Sequence, residues 1–199
     1  MKKKYELTEE TKTLANGTVL RRIRAVSDLT LAGVKIVRAG DLGGWIEKED
    51  NLSHCDNAWV CGEALVCGKA RVCDNAWVCD NAMVCGEARV CDNAMVCDNA
   101  WVCGDARVCD NAMVCGDARV CDYHDYAVFK NTWSSGRWFT YTRSNKMWAV
   151  GCFRGTGDEL VEKAYKDSKL SGQCYEAIVR AQEAIDKANA LCLPKEAAR

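Results

Sequence analysis

Residues 55–72, CDNAWVCGEALVCGKARV, carry a cysteine at every sixth position, and this spacing continues to Cys121. A period of six differs from the 3.6 residues of a helical turn and is too short for a helical repeat, so each unit should contain one short strand and one corner. Within each unit, side chains point alternately to the two faces of the strand. Ala and Val point to one face, and the variable residue between them and the Cys point to the other. The sequence therefore predicts a β-solenoid with an interior of Ala and Val.

A second repeat, of 18 residues, indicates how many strands form one turn of the solenoid. When the segment is aligned in eighteens, the first corner always reads Asp-Asn, as at Asp56-Asn57, and the third strand repeatedly carries arginine, as at Arg71. Columns that recur every 18 residues predict three strands per turn and about four turns in residues 55–121. Asp, Asn and Gly at the corners tolerate the positive φ that sharp bends need.

The same segment resembles a known family through an aliphatic residue followed four positions later by a small one, as in Val60 and Ala64. This pattern is similar to that of hexapeptide-repeat proteins, and the resemblance implies a left-handed triangular β-helix. Residues 19–53 resemble the leader of such proteins from bacteria, prophages and phages. Residues 133–176 resemble a phage-encoded domain, which implies a viral origin and no particular chemistry.

The ends of the chain differ in composition from the repeat and are expected to form separate modules. Open solenoid ends need caps because they present unpaired backbone donors and acceptors. The N-terminal segment is predicted to form strands. Aromatic and β-forming residues after 127 predict a three-stranded antiparallel meander, and Thr156 with Glu159 predicts a capping box before helices at about 158–167 and 171–191. The fold is thus expected to be mainly β. Its divisions are a β cap (1–50), the β-helix (51–126), the meander (127–155) and C-terminal helices (156–199).

Composition gives only broad limits on partners and location. The chain has 199 residues and a net charge of −1, so overall charge does not indicate binding to nucleic acid or membranes. The basic start lacks an apolar segment after it, and no apolar run approaches membrane length. We therefore expect a cytoplasmic protein without a membrane partner.

The 15 cysteines raise the questions of disulfides and of metal. Cysteines in one column, such as Cys55 and Cys73, should project in parallel from adjacent layers, which fits disulfide geometry poorly. Reduced thiols that act as packing residues are the expected state. Zinc sites favour spacings such as CxxC, and the sequence has none. No metal and no cofactor are predicted, although thiolate ladders remain a soft-ligand alternative.

Two outward columns of the repeat contain large apolar residues. Such residues on a solenoid face are typical of contact surfaces. We expect protein to cover this face, either from the same chain or from an oligomer. The predicted binding surface comprises Trp59, Trp77, Met95, Met113, Met83 and Trp101.

The third outward column contains Arg71, Arg89 and Arg107, one guanidinium per turn. One interpretation is an anion-binding stripe for nucleotide or nucleic-acid phosphates or for an acidic partner. The other is that acidic corner residues, such as Glu87 and Asp105, neutralise these charges. The sequence leaves both open.

The last helix contains a narrow seam of small and apolar residues. The seam could pack on the body of its own chain or form a homodimer contact, and we expect a homo-oligomer. The seam residues are Cys174, Ile178, Ala181, Ile185 and Ala188.

Many hexapeptide-repeat proteins are acyltransferases, so the resemblance implies one possible activity. It would use acyl-CoA in a trimer, with His124 as the general base. The repeat runs without the loop insertion that often builds such active sites, and His54 is the other histidine. We therefore expect a non-enzymatic scaffold for self-assembly that binds a host or viral macromolecule. The phage resemblance further suggests inhibition of host antiviral defence.

Overall fold

The structure, a computed structural model, describes residues 3–31, 34–133 and 136–192. The chain divides into two compact units, Met1–Cys152 and Phe153–Arg199. The first unit contains the N-terminal strands, the repeat and the meander that follows it. The second contains the two helices.

The repeat forms a β-solenoid of about four turns, as the 18-residue period predicts. Its strands have two residues each and stack in parallel, in register, on three sides. The first side contains β6 (Trp59–Val60), β9 (Trp77–Val78), β12 (Met95–Val96) and β15 (Met113–Val114). The second contains β7 (Leu65–Val66), β10 (Met83–Val84), β13 (Trp101–Val102) and β16 (Arg119–Val120). The third contains β8 (Arg71–Val72), β11 (Arg89–Val90) and β14 (Arg107–Val108).

The interior of the solenoid consists of Ala and Val, which confirms the predicted alternation. Ala64, Val66, Ala88 and Val90 are fully buried, and the other turns repeat this arrangement. Each strand donates backbone hydrogen bonds to the layer 17 residues further along, as from Trp77 to Ala94 at 2.9 Å. Burial of small and β-branched side chains and a continuous backbone ladder together stabilise the stack.

At each corner from Cys55 to Cys115, the residue after the cysteine turns the chain from one side of the solenoid to the next. Six aspartates adopt positive φ at these corners, among them Asp74 and Asp92, and five glycines do the same, among them Gly86. Gly and Asp reach this region more readily than most residues because of their small or locally bonding side chains. The corner aspartates also form hydrogen bonds between layers. The Asp74 carboxylate accepts a hydrogen bond from the Asp92 amide at 3.3 Å, and the Asp92 carboxylate accepts one from the Asp110 amide at 3.0 Å.

The N-terminal cap extends the second side of the solenoid as one sheet. Its strands are β1 (Tyr5–Thr13), β2 (Val19–Ala25) and β5 (Leu42–Ile46), while β3 (Leu29–Leu31) and β4 (Val34–Val37) form a separate hairpin. β1, β2 and β5 pair antiparallel, and β5 then pairs parallel with β7. The buried Asn51 donates to the carbonyls of Gly68 and Ala70, and Lys4 Nζ donates to that of Ala58 at 2.7 Å. These bonds satisfy carbonyl groups at the start of the solenoid.

A meander follows the last turn, as predicted. It comprises β17 (Tyr126–Lys130), β18 (Trp138–Thr142) and β19 (Met147–Val150), paired antiparallel. Phe139 and Trp148 are buried within it. The Thr140 hydroxyl accepts the Met113 amide at 2.9 Å, so the meander also packs on the last strand of the first side.

The second unit contains β20 (Phe153–Gly155) and a helical hairpin of α1 (Gly157–Asp167) and α2 (Lys169–Cys192). Thr156 and Glu159 form the predicted capping box. α1 packs on α2. The ring of Tyr165 lies so close to Gly172 that a methyl group added to this glycine would be 2.2 Å from a ring carbon. Neither described helix is long and apolar enough to cross a membrane.

Two disulfides correct the expectation that all the repeat cysteines are reduced. Cys61 bonds Cys79 and Cys103 bonds Cys121, each pair lying in one column on adjacent layers. The Cα–Cα distances are 4.7 and 4.5 Å, within the range that disulfides span. Parallel projection therefore does not prevent bonding, because the layers are close enough for neighbouring sulfurs to meet.

Candidate functional site

The first side of the solenoid is largely covered by the same chain. Trp59 is 1% exposed, within a cluster that also includes Leu29 and Val37 of the N-terminal hairpin. Trp77 is half-buried beside it. The sequence did not decide whether the same chain or another one covers this face. At the N-terminal end of the first side, the β3–β4 hairpin of the same chain covers it.

The other end of the first side lies under the meander. Met95 and Met113 are half-buried and pack with Met147 and Ala149 of β19. Together with the hairpin, the meander leaves little of this column on an open surface. Four of the six residues of the predicted binding surface thus pack against the protein itself.

The second side is partly open. Met83 is half-buried, and Trp101 is 38% exposed, with the Arg119 guanidinium 5.3 Å from its ring centre. The Trp101 indole donates to the Cys85 sulfur at 3.2 Å. Cys85 also forms a hydrogen bond with Cys67, and this bond is the main reason that the pKa of Cys85 is lowered and that of Cys67 raised.

The third side is open and carries the arginine row. Arg71, Arg89 and Arg107 are exposed and stack in register on β8, β11 and β14. Adjacent layers of a sheet are about 4.8 Å apart, so the three cations follow one another at that interval. Like charges directly opposite one another across strands destabilise a sheet.

The proposed neutralisation of these arginines by acidic corner residues is not found. Glu87 pairs with Lys69 at 2.6 Å instead. Within residues 3–31, 34–133 and 136–192, the three guanidinium groups make neither an ion pair nor a hydrogen bond. The row therefore remains a stripe of cations open to solvent.

A row of aspartates runs parallel to the arginine row on the same face. The third side and its corner line a groove of about 400 Å³. Its lining residues follow the chain order Arg, Cys, Asp in each layer and are Arg71, Cys73, Asp74, Arg89, Cys91, Asp92, Arg107 and Cys109. We call this surface the Arg/Asp face, and Asp110 continues its acidic row. The sequence signal for this arrangement is the recurring ARVCD at 70–74, 88–92 and 106–110, which places an aspartate three residues after each arginine.

The environment of the thiols that line this groove favours their protonated form. Burial is the main factor that raises the pKa of Cys73 to about 12 and that of Cys91 to about 11, and the adjacent aspartate carboxylates raise both further. A thiol must lose its proton to attack or to bind metal. At neutral pH these residues form a neutral strip between two charged rows.

The two histidines lie at opposite ends of the solenoid, His54 before β6 and His124 after β16. His124 is exposed in a short 3-10 turn, where its Nδ1 lies 3.0 Å from the Asp122 carboxylate and its ring contacts Tyr123. His54 stacks on Tyr5 at the opposite end of the solenoid, with ring centres 4.2 Å apart. Neither residue lines the described grooves. The acyltransferase activity implied by the resemblance, with His124 as the base, therefore stays a prediction.

The predicted seam on α2 is not the face that this helix buries. Among residues 169–189 of α2, Gly172, Val179 and Gln182 are buried, whereas Ala181 and Ala188 are exposed and Ile185 is 46% exposed. Cys174 and Ile178 are half-buried. Packing of the full seam on its own chain is therefore not seen, and a homodimer contact through it stays a prediction.

Comparison with known proteins adds a fold relationship. Residues 88–104 and 106–122 match the family described as YdcK beta solenoid repeat. No curated protein matches the chain. The match covers the last turns of the solenoid and agrees with the parallel stacking of strands there.

Proposed function

We propose that this protein is a non-enzymatic scaffold that self-associates through the Arg/Asp face. The observation that carries the proposal is the unpaired arginine row beside a parallel aspartate row on an open side of the solenoid. Stacked like charges are unfavourable in the isolated chain. A partner with the complementary pattern removes that cost.

The interval between charges favours a partner that is itself a stack of β-layers. Charges on the Arg/Asp face recur about every 4.8 Å along the solenoid. Side chains on one face of an extended peptide recur about every 6.6 Å, so they fall out of step with the rows. Nucleic acid also fits poorly, because its continuous negative charge would meet the aspartate row as well as the arginines. A second copy of this chain has the matching interval.

Two-fold symmetry makes the face complementary to itself in one orientation. With the two-fold axis parallel to the solenoid axis, the arginine row of each copy lies over the aspartate row of the other. With the axis perpendicular to the solenoid axis, arginine meets arginine. The first arrangement brings the neutral cysteine rows of the two copies together, so Cys91 of each copy lies near its counterpart.

The size of the face predicts a weak and reversible contact. Three layers span only roughly 14 Å, and interfaces well below a total of about 1,200 Å² are usually transient. Association through surface charges is also sensitive to salt, because ions screen such charges beyond about 10 Å at 0.1 M. We expect association at high protein concentration and low salt.

Sedimentation velocity of charge variants tests this proposal. R89E/R107E should abolish association, because glutamate then faces aspartate, and D92N/D110N should weaken it. An equimolar mixture of the two variants should associate more than either alone, since intact arginines then face intact aspartates. The control R21E/R119E makes the same charge change on exposed arginines outside the face and should behave as the wild type.

Small-angle X-ray scattering at low salt gives an independent readout. The apparent mass should rise with protein concentration for the wild type and not for R89E/R107E. Failure of the variant mixture to associate, or association of R89E/R107E equal to that of the wild type, would overturn the proposal. Arginine-dependent binding of a single-stranded oligonucleotide without self-association would favour the phosphate-binding alternative.

A further inference from the structure

A cluster of sulfur atoms lies beneath the meander, apart from the Arg/Asp face. Cys97 and Cys115 are 8% and 2% exposed and pack with Met95, Met113 and Met147. Both cysteines carry thiols. Thiols and thioethers from two layers of the solenoid and from the meander thus meet in one place.

The stacking of the first side brings the two thiols together. β12 pairs in register with β15, and the Cys97 amide donates to the carbonyl of Val114 at 3.0 Å. Cys97 therefore lies one layer from Cys115 in the same column. The two other cysteines of that column, Cys61 and Cys79, have the same relation and are bonded to each other. Adjacent sulfurs of this column are thus close enough to share a ligand.

Met147 of β19 closes the cluster from the meander side. A methyl group placed on Gly116 would lie 3.2 Å from the Met147 sulfur, so this thioether rests against the corner that directly follows Cys115. Asn145 Nδ2 donates to the carbonyl of Cys115 at 3.4 Å and holds the same turn of the meander on the solenoid. The thioether is therefore positioned by contacts on both elements.

We propose that Cys97, Cys115 and Met147 form a binding site for one Cu(I) ion. Thiolate and thioether sulfurs are the donors that select Cu(I) among biological metals. Two metal–sulfur bonds of about 2.3 Å placed in line span about 4.6 Å, which is close to the layer spacing of about 4.8 Å. Binding replaces the two thiol protons, which pass to solvent, and leaves the copper oxidation state unchanged.

Two carboxylates lie at the edge of this site. The ligand atoms of Asp80, Cys97 and Asp98 are all within 4.8 Å of one another. Asp98 accepts the Gly116 amide at 2.8 Å, and Asp80 accepts the Asp98 amide at 3.2 Å, so both are held in place. Their charge attracts a cation, while their hard oxygen donors compete poorly with sulfur for Cu(I).

Sequence spacing did not reveal this site, because its two cysteines are 18 residues apart and its third donor comes from another element. Zinc sites typically draw nearby cysteines from one loop, as in CxxC. Here the solenoid layers supply the proximity instead.

Competition with a chromogenic Cu(I) chelator tests the proposal on the full chain. The protein is kept anaerobic with ascorbate, which maintains Cu(I) and leaves the disulfides intact. The wild type should withhold one equivalent of copper from bicinchoninate, and C97S/C115S should release it. M147L, which preserves shape and removes the sulfur, should weaken binding by about 10- to 100-fold. The matched control C91S/C109S removes another stacked thiol pair, which lines the Arg/Asp groove, where no methionine is among the lining residues, and it should bind copper as the wild type does.

X-ray absorption at the copper edge should show sulfur donors alone. Three results would overturn the site. They are one equivalent of tightly bound copper in C97S/C115S, a loss of copper binding in C91S/C109S equal to that in C97S/C115S, or oxygen and nitrogen donors at the copper. Unchanged binding in M147L would remove the thioether from the site. Circular dichroism of each variant shows whether loss of copper reflects loss of the fold.

Discussion

The first and third sides of the solenoid have the same backbone, the same interior and the same 18-residue repeat, yet they differ in their surroundings. On the first side, the outward residues are Trp and Met, and the chain's own hairpin and meander pack over them. On the third side, the outward residue is Arg, and no described segment covers it. One variable position per repeat therefore decides whether a side becomes part of the core or stays available to a partner.

The energetic basis of this difference lies in desolvation. Burying an indole or a thioether is favourable roughly in proportion to the apolar area removed from water. Burying a guanidinium without a paired anion is costly. A segment that packs on the third side would need acidic residues at the layer interval, whereas a segment that packs on the first side needs only apolar ones.

The largest effect should come from Trp59→Ala on the covered side. Trp59 is almost completely buried between the first turn and the hairpin, so its removal leaves a large cavity and should lower the free energy of unfolding by about 3–5 kcal/mol. Urea unfolding followed by circular dichroism measures this change. Trp101→Ala on the more exposed side is the control and should cost at most about half as much. Equal losses in the two variants would contradict the distinction between covered and open sides.

Gly86→Ala should have the next largest effect, at the corner that leads into the third side. Gly86 has a φ of 71°, and an added methyl group would lie 2.9 Å from the Gly104 nitrogen. Strain of this kind costs about 1–3 kcal/mol. Gly86→Asp should cost less, because Asp80 already adopts a φ of 61° at an equivalent corner. A thermal unfolding comparison in which alanine is tolerated better than aspartate would contradict this account.

Thr140→Val tests how the meander covers the first side. The substitution preserves shape and removes the hydroxyl that accepts the Met113 amide, so it leaves a buried donor without a partner and should cost about 1–2 kcal/mol. Loosening of this contact should also increase alkylation of Cys115 by a maleimide, measured by mass spectrometry. Thr11→Val on the exposed part of β1 is the control. Equal alkylation of Cys115 in both variants would argue against cover by the meander.

Arg89→Gln should have the smallest effect and the opposite sign. Removing the middle charge of the row relieves repulsion from Arg71 and Arg107, so stability should rise by up to about 0.5 kcal/mol at low salt and return to the wild-type value at high salt. Arg119→Gln should instead lose about 0.5 kcal/mol, because Arg119 lies over the Trp101 ring. Urea unfolding at two salt concentrations distinguishes the two. A destabilised Arg89→Gln would indicate an intramolecular partner for the row.

Periodicity was sufficient to predict the solenoid in detail because its contacts repeat at a constant interval. The inward Ala and Val, the corner glycines and aspartates, and the antiparallel pairing of β17, β18 and β19 all follow from local pattern. The α2 seam shows what local pattern leaves open. Its small apolar residues were compatible with packing on the same chain or with a homodimer contact, and within the chain Gly172, Val179 and Gln182 are buried instead. The shape of α1, with Tyr165 against Gly172, selects that face.

The candidate sites were predicted only in part, for a related reason. The arginine row was visible as a column, but its lack of acidic partners and the parallel aspartate row depend on where side chains point at the corner. The disulfides and the sulfur cluster depend on distances between layers and on the position of the meander. Such contacts join residues 18 or more positions apart.

The sequence by itself determined the period, the number of sides, the interior and the residue that each side presents, because these depend on the alternation of side chains along short strands. Only the tertiary structure decided which side is covered, which cysteines meet and which charges stay open to solvent. These outcomes depend on how the cap and the meander pack onto the solenoid, and on the balance between apolar burial and charge desolvation at each face.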